Sequence, residues 1–224
     1  MNQTALITPD TLRGIFQKER TIVLIGQSAC GKETQSKILQ KHIMDYKPDD
    51  FQFLYLESGG LFRRNIPEYS PYMSQKLKDI NDAGKLQSPA FAITQWTDEI
   101  LRKWSGLGHI LIDGAPRTED EARAMFKTYT EALGRDMTVF HIKVPDEVAD
   151  ARMVKRNAEI VANGGTPRAD SATPEARKKK LAFYHKHVRD AIYLLDEDFE
   201  VDVHDIDGER SVEEISNEIL SLLL

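Results

Sequence analysis

Cysteine is nearly missing from this 224-residue chain: Cys30 is the only one. That excludes a disulfide framework, and it excludes a four-cysteine zinc site within one chain. Long apolar runs are missing as well, and none approaches the ~18 residues needed to span a bilayer. No basic arm or block is present. Lys and Arg number 30 against 36 Asp and Glu, a formal net charge of -6, which argues against non-specific binding to nucleic acid or to an anionic membrane. Residues 1–18 carry scattered charges and no apolar stretch of the signal-peptide kind, so a cytoplasmic protein is expected. Internal repeats and low-complexity tracts are not seen. The remainder, 41% hydrophobic and 29% charged, is ordinary for a soluble protein with one sizeable core.

Short β-type runs at 21–25, 51–56, 109–113, 138–144 and 201–206 alternate with helical patterns at 32–44, 89–104, 119–133, 146–157 and 174–195. This alternation predicts an α/β fold with a mainly parallel sheet. Ser211 and Glu214 have the spacing of a capping box for one more helix. Two stretches break the rhythm. Residues 59–86, with Pro67, Pro71 and Gly84, suit a small helical insertion, and residues 157–172 read as a mobile loop around Gly164, Gly165 and Pro167. Phosphoryl transfer needs such a loop, because water must be kept from the phosphate being moved.

The first strand runs directly into Gly26, Gln27, Ser28, Ala29, Cys30, Gly31 and Lys32, followed by a helix. This is the spacing of a phosphate-binding loop, G-x-x-x-x-G-K. Glycines let consecutive N–H groups turn toward phosphate oxygens, the helix N-terminus adds its positive end, and Lys32 reaches the outer phosphates. The strict motif places Ser or Thr directly after the Lys. Here Glu33 stands there and Thr34 follows.

That offset resembles the adenylate kinase family, whose loop reads G-K-G-T-Q against Gly31 to Gln35 here. The resemblance extends over roughly 21–224. The family segment S-T-G-D-L-F-R is similar to Glu57, Ser58, Gly59, Gly60, Leu61, Phe62 and Arg63, and D-G-F-P-R-T to Asp113, Gly114, Ala115, Pro116, Arg117 and Thr118. Arg152 and Arg156 resemble the family pair before its lid, and Arg168 with Asp170 resembles the lid itself.

The resemblance implies a P-loop NTPase-type, doubly wound, five-stranded parallel sheet. It implies an acceptor-binding insertion at 57–87, a short lid at 157–172, a core over 21–224 and an N-terminal helical extension at 1–20. It also implies transfer of the ATP γ-phosphoryl group, with Mg²⁺, to a nucleoside monophosphate by a monomer. ATP would lie on Gly26, Ser28, Ala29, Cys30, Gly31, Lys32, Glu33, Thr34, Arg152 and Arg156. The acceptor would lie on Ser58, Gly59, Arg63, Gly114, Arg117, Glu121 and Arg168. Lys32, Arg63, Arg117, Arg156, Arg168 and Lys180 would be catalytic, and Asp113 would hold Mg²⁺ through water. The chemistry suits so many cations, since charge spreads over the equatorial phosphoryl oxygens while donor and acceptor are held in line.

Four departures from the family pattern carry expectations. Glu121 replaces the Gln that reads adenine, which leaves AMP as the family acceptor and GMP as a chemical alternative. Gly60 replaces an Asp, so Glu33 either supplies the lost carboxylate near Mg²⁺ or simply favours the helix N-terminus. Lys180 takes the place of a lid-side Arg, with Arg177 one turn earlier as a competitor for the role. Cys30 is either a reactive thiol or a small residue that fits. Two other readings are a small-metabolite kinase, which leaves the acceptor motifs unexplained, and a nucleotide-binding sensor without turnover.

Overall fold

The computed structural model describes residues 7–65, 68–83 and 87–224. Five strands, β1 (Thr21–Ile25), β2 (Gln52–Glu57), β3 (Gly108–Asp113), β4 (Met137–Lys143) and β5 (Asp202–Asp207), form an all-parallel sheet ordered β2-β3-β1-β4-β5. The α/β, doubly wound expectation therefore holds, and each strand end lies within a residue of its expected place. β1 alternates as a doubly covered strand should: Ile22 and Leu24 enter one core, Val23 and Ile25 the other.

Helices α1 (Pro9–Phe16), α2 (Lys32–Tyr46) and α10 (Val212–Ser221) pack on the first face. The second is covered by α3 (Ser58–Asn65), α5 (Pro89–Lys103), α6 (Glu119–Phe126), α8 (Pro174–Phe183) and α9 (Arg189–Tyr193). In α1, Thr8 Oγ1 accepts from the Thr11 N–H at 3.2 Å and Pro9 starts the first turn, while Leu12, Ile15 and Phe16 share the buried face. The Ser211–Glu214 capping box of α10 is formed as its spacing predicted.

β1 has β3 on one side and β4 on the other, so its carboxyl end opens into the crevice where ligands of such sheets bind. Helix α4 (Pro71–Asp82), which follows α3, and the 3₁₀ turn Ala169–Ser171 lie against each other. Pro67 and Gly84 of the expected insertion lie outside the described residues.

The expected loop at 157–172 is shorter than the sequence suggested. Helix α7 (Asp146–Ala162) continues past Asn157, because that side chain is buried and bonded rather than solvated. The expected helices at 119–133 and 174–195 are also not uniform. They pass through π-helical turns at Lys127–Ala132, Tyr184–Val188 and Leu194–Asp198.

Candidate active site

The loop after β1 depends on backbone conformations that side chains disfavour. Gly26 has φ +147° and Gly31 φ +112°. A Cβ at Gly26 would strike the Ile142 carbonyl oxygen and come within 2.9 Å of Cys30 Sγ. Gly31 caps α2 without a side chain, so the first-turn N–H groups and the positive helix end face the loop. Ser28 and Ala29 form the bend, Ala29 at φ +64°, and Thr34 N–H returns to Gly31 O at 3.0 Å. Lys32 curls across it, its Nζ donating to the carbonyls of Gly26 and Gln27, each at 2.8 Å. Cys30 is buried within the α1–α2 core, its Sγ accepting from Lys32 Nζ at 3.4 Å.

Asp113 ends β3 beside this loop, in register with Glu57 at the end of β2. It is 6% exposed, and burial raises its pKa, opposed by the Lys32 charge and reinforced by Glu57. Tyr55 OH donates to Asp113 Oδ2 at 3.3 Å and accepts from Ser36 Oγ at 3.2 Å. Sequence reasoning passed over Tyr55 and Glu57, although strand alternation puts them on one face at the carboxyl end of β2. The Glu57 carboxylate lies over Gly60, where a Cβ would have to push that flexible side chain aside.

Among the described residues no three His, Cys, Asp or Glu side chains converge as a metal site. Magnesium keeps several waters and rides on substrate phosphates with one or two carboxylates. A buried Asp113 facing the phosphate loop suits that mode. Glu33 is engaged elsewhere. Its carboxylate accepts from Lys37 Nζ at 2.9 Å and stands 3.7 Å from the Arg168 guanidinium.

The segment around the turn Ala169–Ser171 is pinned by side chains of α7. Asn157 Nδ2 donates to Ser171 O at 2.8 Å, and Asn157 Oδ1 accepts from Arg168 N at 3.2 Å. Arg156 Nη2 donates to Ser171 Oγ at 3.3 Å, while its buried Nε has no partner among the described residues. Lys180 pairs with Asp170. Burial pushes Asp170 up, but Lys180, Ser171 and Arg156 outweigh it, so the carboxyl sits below the usual range. Burial lowers the Lys180 ammonium, and the charges of Arg156 and Arg117 lower it further against Asp170. Burial and the Arg168 charge likewise depress Arg156. Such mutual repulsion means that Arg117, Arg156, Arg168 and Lys180 share one region. Arg177, the competitor for Lys180, points instead to α7, with Nε donating to Asp150 Oδ1 at 2.6 Å.

On the acceptor side, Arg117 Nε donates to Gly114 O at 2.8 Å, and the Ala115–Pro116 peptide is cis. Thr118 caps α6, and the buried Glu121 carboxylate accepts from Arg117 N at 3.0 Å. Burial raises the Glu121 pKa, with Arg117 opposing. Ser58 is buried at the start of α3, followed by Gly59; the Arg63 side chain lies outside the described residues. Arg152 bridges the loop to the turn after β5, its guanidinium donating to Cys30 O at 3.3 Å and Gly208 O at 3.0 Å.

A family model described as adenylate kinase matches residues 24–198. The chain is 28% identical over 204 residues to the adenylate kinase of Brucella ovis, covering 91% of this chain and 98% of that protein. It is 27% identical over 168 residues to that of Deinococcus radiodurans, covering 74% and 79%. A nucleotide-kinase sheet, a phosphate loop at its switch point and a match through most of the chain lead to one assignment: this protein belongs to the adenylate kinase family.

Proposed function

We propose that this nucleoside monophosphate kinase uses AMP as its acceptor, so that ATP and AMP give two ADP. Membership of the family makes the chain a phosphotransferase. The observation that carries the finer reading is Glu121, buried beside Arg117 with its pKa raised. The protonated form, which burial favours, offers an O–H donor and a C=O acceptor, the pattern that adenine N1 and N6 require. A second reading rests on the same residue: when ionised, Glu121 would accept from guanine N1–H and N2–H₂, which makes GMP the competing acceptor.

In this reading the loop from Gly26 to Thr34 and Lys32 hold the ATP phosphates, and Arg152 flanks the donor base. Ser58, Gly59, Arg63, Gly114 and Arg117 hold the acceptor. Arg156, Arg168 and Lys180 neutralise the transferring group, and the unpaired Arg156 Nε and the depressed Lys180 support this role. No protein nucleophile is needed, because positioning and charge stabilisation carry the reaction. Asp113 is assigned to Mg²⁺ through water, and Glu33 to the lid rather than to the metal. Bound Mg²⁺ supplies charge neutralisation at the phosphate oxygens. The turn Ala169–Ser171, resting on α4, keeps bulk water from the cleft. Within the chain the reading takes 57–87 as the acceptor insertion, the segment after α7 as the lid and residues 1–20 as an extension. Among the described residues no helix is long and apolar enough to cross a membrane. A monomer acting in the cytoplasm belongs to the same proposal.

The test is an acceptor screen with ATP, Mg²⁺ and each of AMP, GMP, CMP, UMP and dTMP, reading the diphosphate formed. AMP turned over best upholds the reading, GMP turned over best replaces it with the second, and no transfer despite ATP binding defeats both.

A further inference from the structure

We infer that His141 and Tyr184 form a positioning relay that holds α8 in register with the phosphate loop, and so delivers Lys180 to the transferring phosphate. The inference rests on the reading of Lys180 as a site residue. His141 lies on β4 directly beside Ile25, the last residue of β1 before Gly26. It is buried and reaches in two directions. Its Nδ1 is 2.7 Å from Asp205 Oδ1, straight across the β4–β5 pairing, and its Nε2 is 2.6 Å from Tyr184 OH. Tyr184 follows Lys180 by one helical turn on the same face. Lys180 in turn is paired with Asp170 of the lid turn.

The chemistry of the neighbours sets the direction of both bonds. Asp205 is held below the usual carboxylate range: burial raises it, but the Lys143 hydrogen bond at 3.0 Å and His141 outweigh burial. An ionised Asp205 is an acceptor only, so His141 Nδ1 carries the proton. The Nε2 lone pair then accepts from Tyr184, whose hydroxyl burial pushes up to about 12 and which stays a donor. Burial drives the His141 imidazole below its ordinary range against the pull of Asp205, and Lys143 and Lys32 push the same way. Around Tyr184, besides His141, the charged or titratable neighbours include His185, with ring centroids 5.2 Å apart, and Cys30 of the loop, Asp146, Arg189 and Asp205. Protonation of Nε2 would put a positive charge in this buried site and reverse the bond, Nε2–H then donating to the Tyr184 oxygen, so that the hydroxyl proton turns to another acceptor and the register loosens. An ångström-scale misplacement of a catalytic cation lowers turnover by up to ~10²-fold.

Steady-state kinetics across pH, with ATP binding measured separately, test this on His141→Phe, Tyr184→Phe, the double variant and His141→Gln. The Gln amide can donate to Asp205 and accept from Tyr184 but cannot titrate. The two single variants should lower kcat by about tenfold while ATP Kd stays within about twofold, and the double variant should be no worse than either. His141→Gln should recover most of kcat and lose the acid limb that the wild type shows below the ordinary imidazole range. Unchanged kcat in Tyr184→Phe, losses that multiply, or an acid limb retained in His141→Gln would overturn the inference. Nitrogen NMR of the wild type provides a readout independent of turnover: a neutral His141 protonated at Nδ1 is expected, and the opposite tautomer refutes the relay. Wild-type protein that transfers to no acceptor would defeat the functional reading and leave the NMR result to decide the relay.

Discussion

The Glu33 carboxylate stands 3.7 Å from the Arg168 guanidinium, which ties the first turn of α2 to the segment before the turn Ala169–Ser171. The hydrogen bond from Lys37 is the main reason that the Glu33 pKa lies below its usual value; burial opposes it, and Lys37, Arg168 and Arg156 add charge in its favour. Both members of the pair are substantially exposed, so it contributes no more than about 1 kcal/mol. A contact of that size biases the lid and cannot lock it. It also competes with phosphate for Arg168.

Glu33→Gln should therefore tighten ATP binding by about threefold, and the gain should shrink at high salt. Titration calorimetry at two ionic strengths reads both effects. The Mg²⁺ dependence of turnover should be unaltered, since Glu33 faces the lid. A shifted Mg²⁺ midpoint would return Glu33 to the metal.

The N-terminal helix is part of the fold's core rather than an appendage. Phe16 is fully buried with Leu12 and Ile15 against α2, and Arg20 Nη2 donates to Leu223 O at 2.7 Å across the sheet's lower edge. Phe16→Ala should cost about 3–5 kcal/mol of unfolding free energy, read from urea melts. KM values of the folded fraction should hold, because the site lies at the other end of the strands.

Strand identity was legible because burial on two faces leaves near-continuous apolar runs, and the loop because Gly26, Gly31 and Lys32 stand at fixed spacing. What stayed hidden depends on contacts distant in sequence. Asn157 looked like the start of a loop, and only its bonds to Ser171 and Arg168 make it a helix residue. Arg177 and Lys180 were indistinguishable as letters until Asp150 took the first and Asp170 the second. Gly60 read as a lost carboxylate, yet the Glu57 carboxylate lies over it, a proximity that only the fold reveals.

Folding keeps two imidazoles neutral, with a consequence for acid stability. His109 is fully buried, and burial, aided by Arg135 and Arg20, pushes it down to about 4; burial depresses His141 as well. Unfolded histidines titrate near ~6.5, so the unfolded chain takes up more protons in this window. Stability is therefore complete above the unfolded value and is lost as the pH falls through it. His109 alone removes on the order of 2 kcal/mol by about pH 5. Urea midpoints should fall between about pH 8 and about pH 5, and His109→Gln should flatten the decline. A midpoint independent of pH would contradict the account.

In the proposed reading Glu121 would make acceptor choice depend on pH. Burial raises its carboxyl pKa against Arg117, so the protonated form persists further up the pH scale than in water. That form matches adenine, and it is lost as the pH rises through the folded value; the ionised form, with acceptors only, matches guanine. The acceptor phosphates also change charge with pH, which would obscure any single KM. The ratio of kcat/KM for AMP to that for GMP cancels this common titration, and it should fall with rising pH. Glu121→Gln fixes the adenine pattern permanently. Its ratio should be flat with pH and about tenfold higher than wild type at the alkaline end, the cost of mismatching one buried polar group. If the variant's ratio instead follows the wild-type curve, the base is read by other groups, and Glu121 serves only to hold the Arg117 N–H.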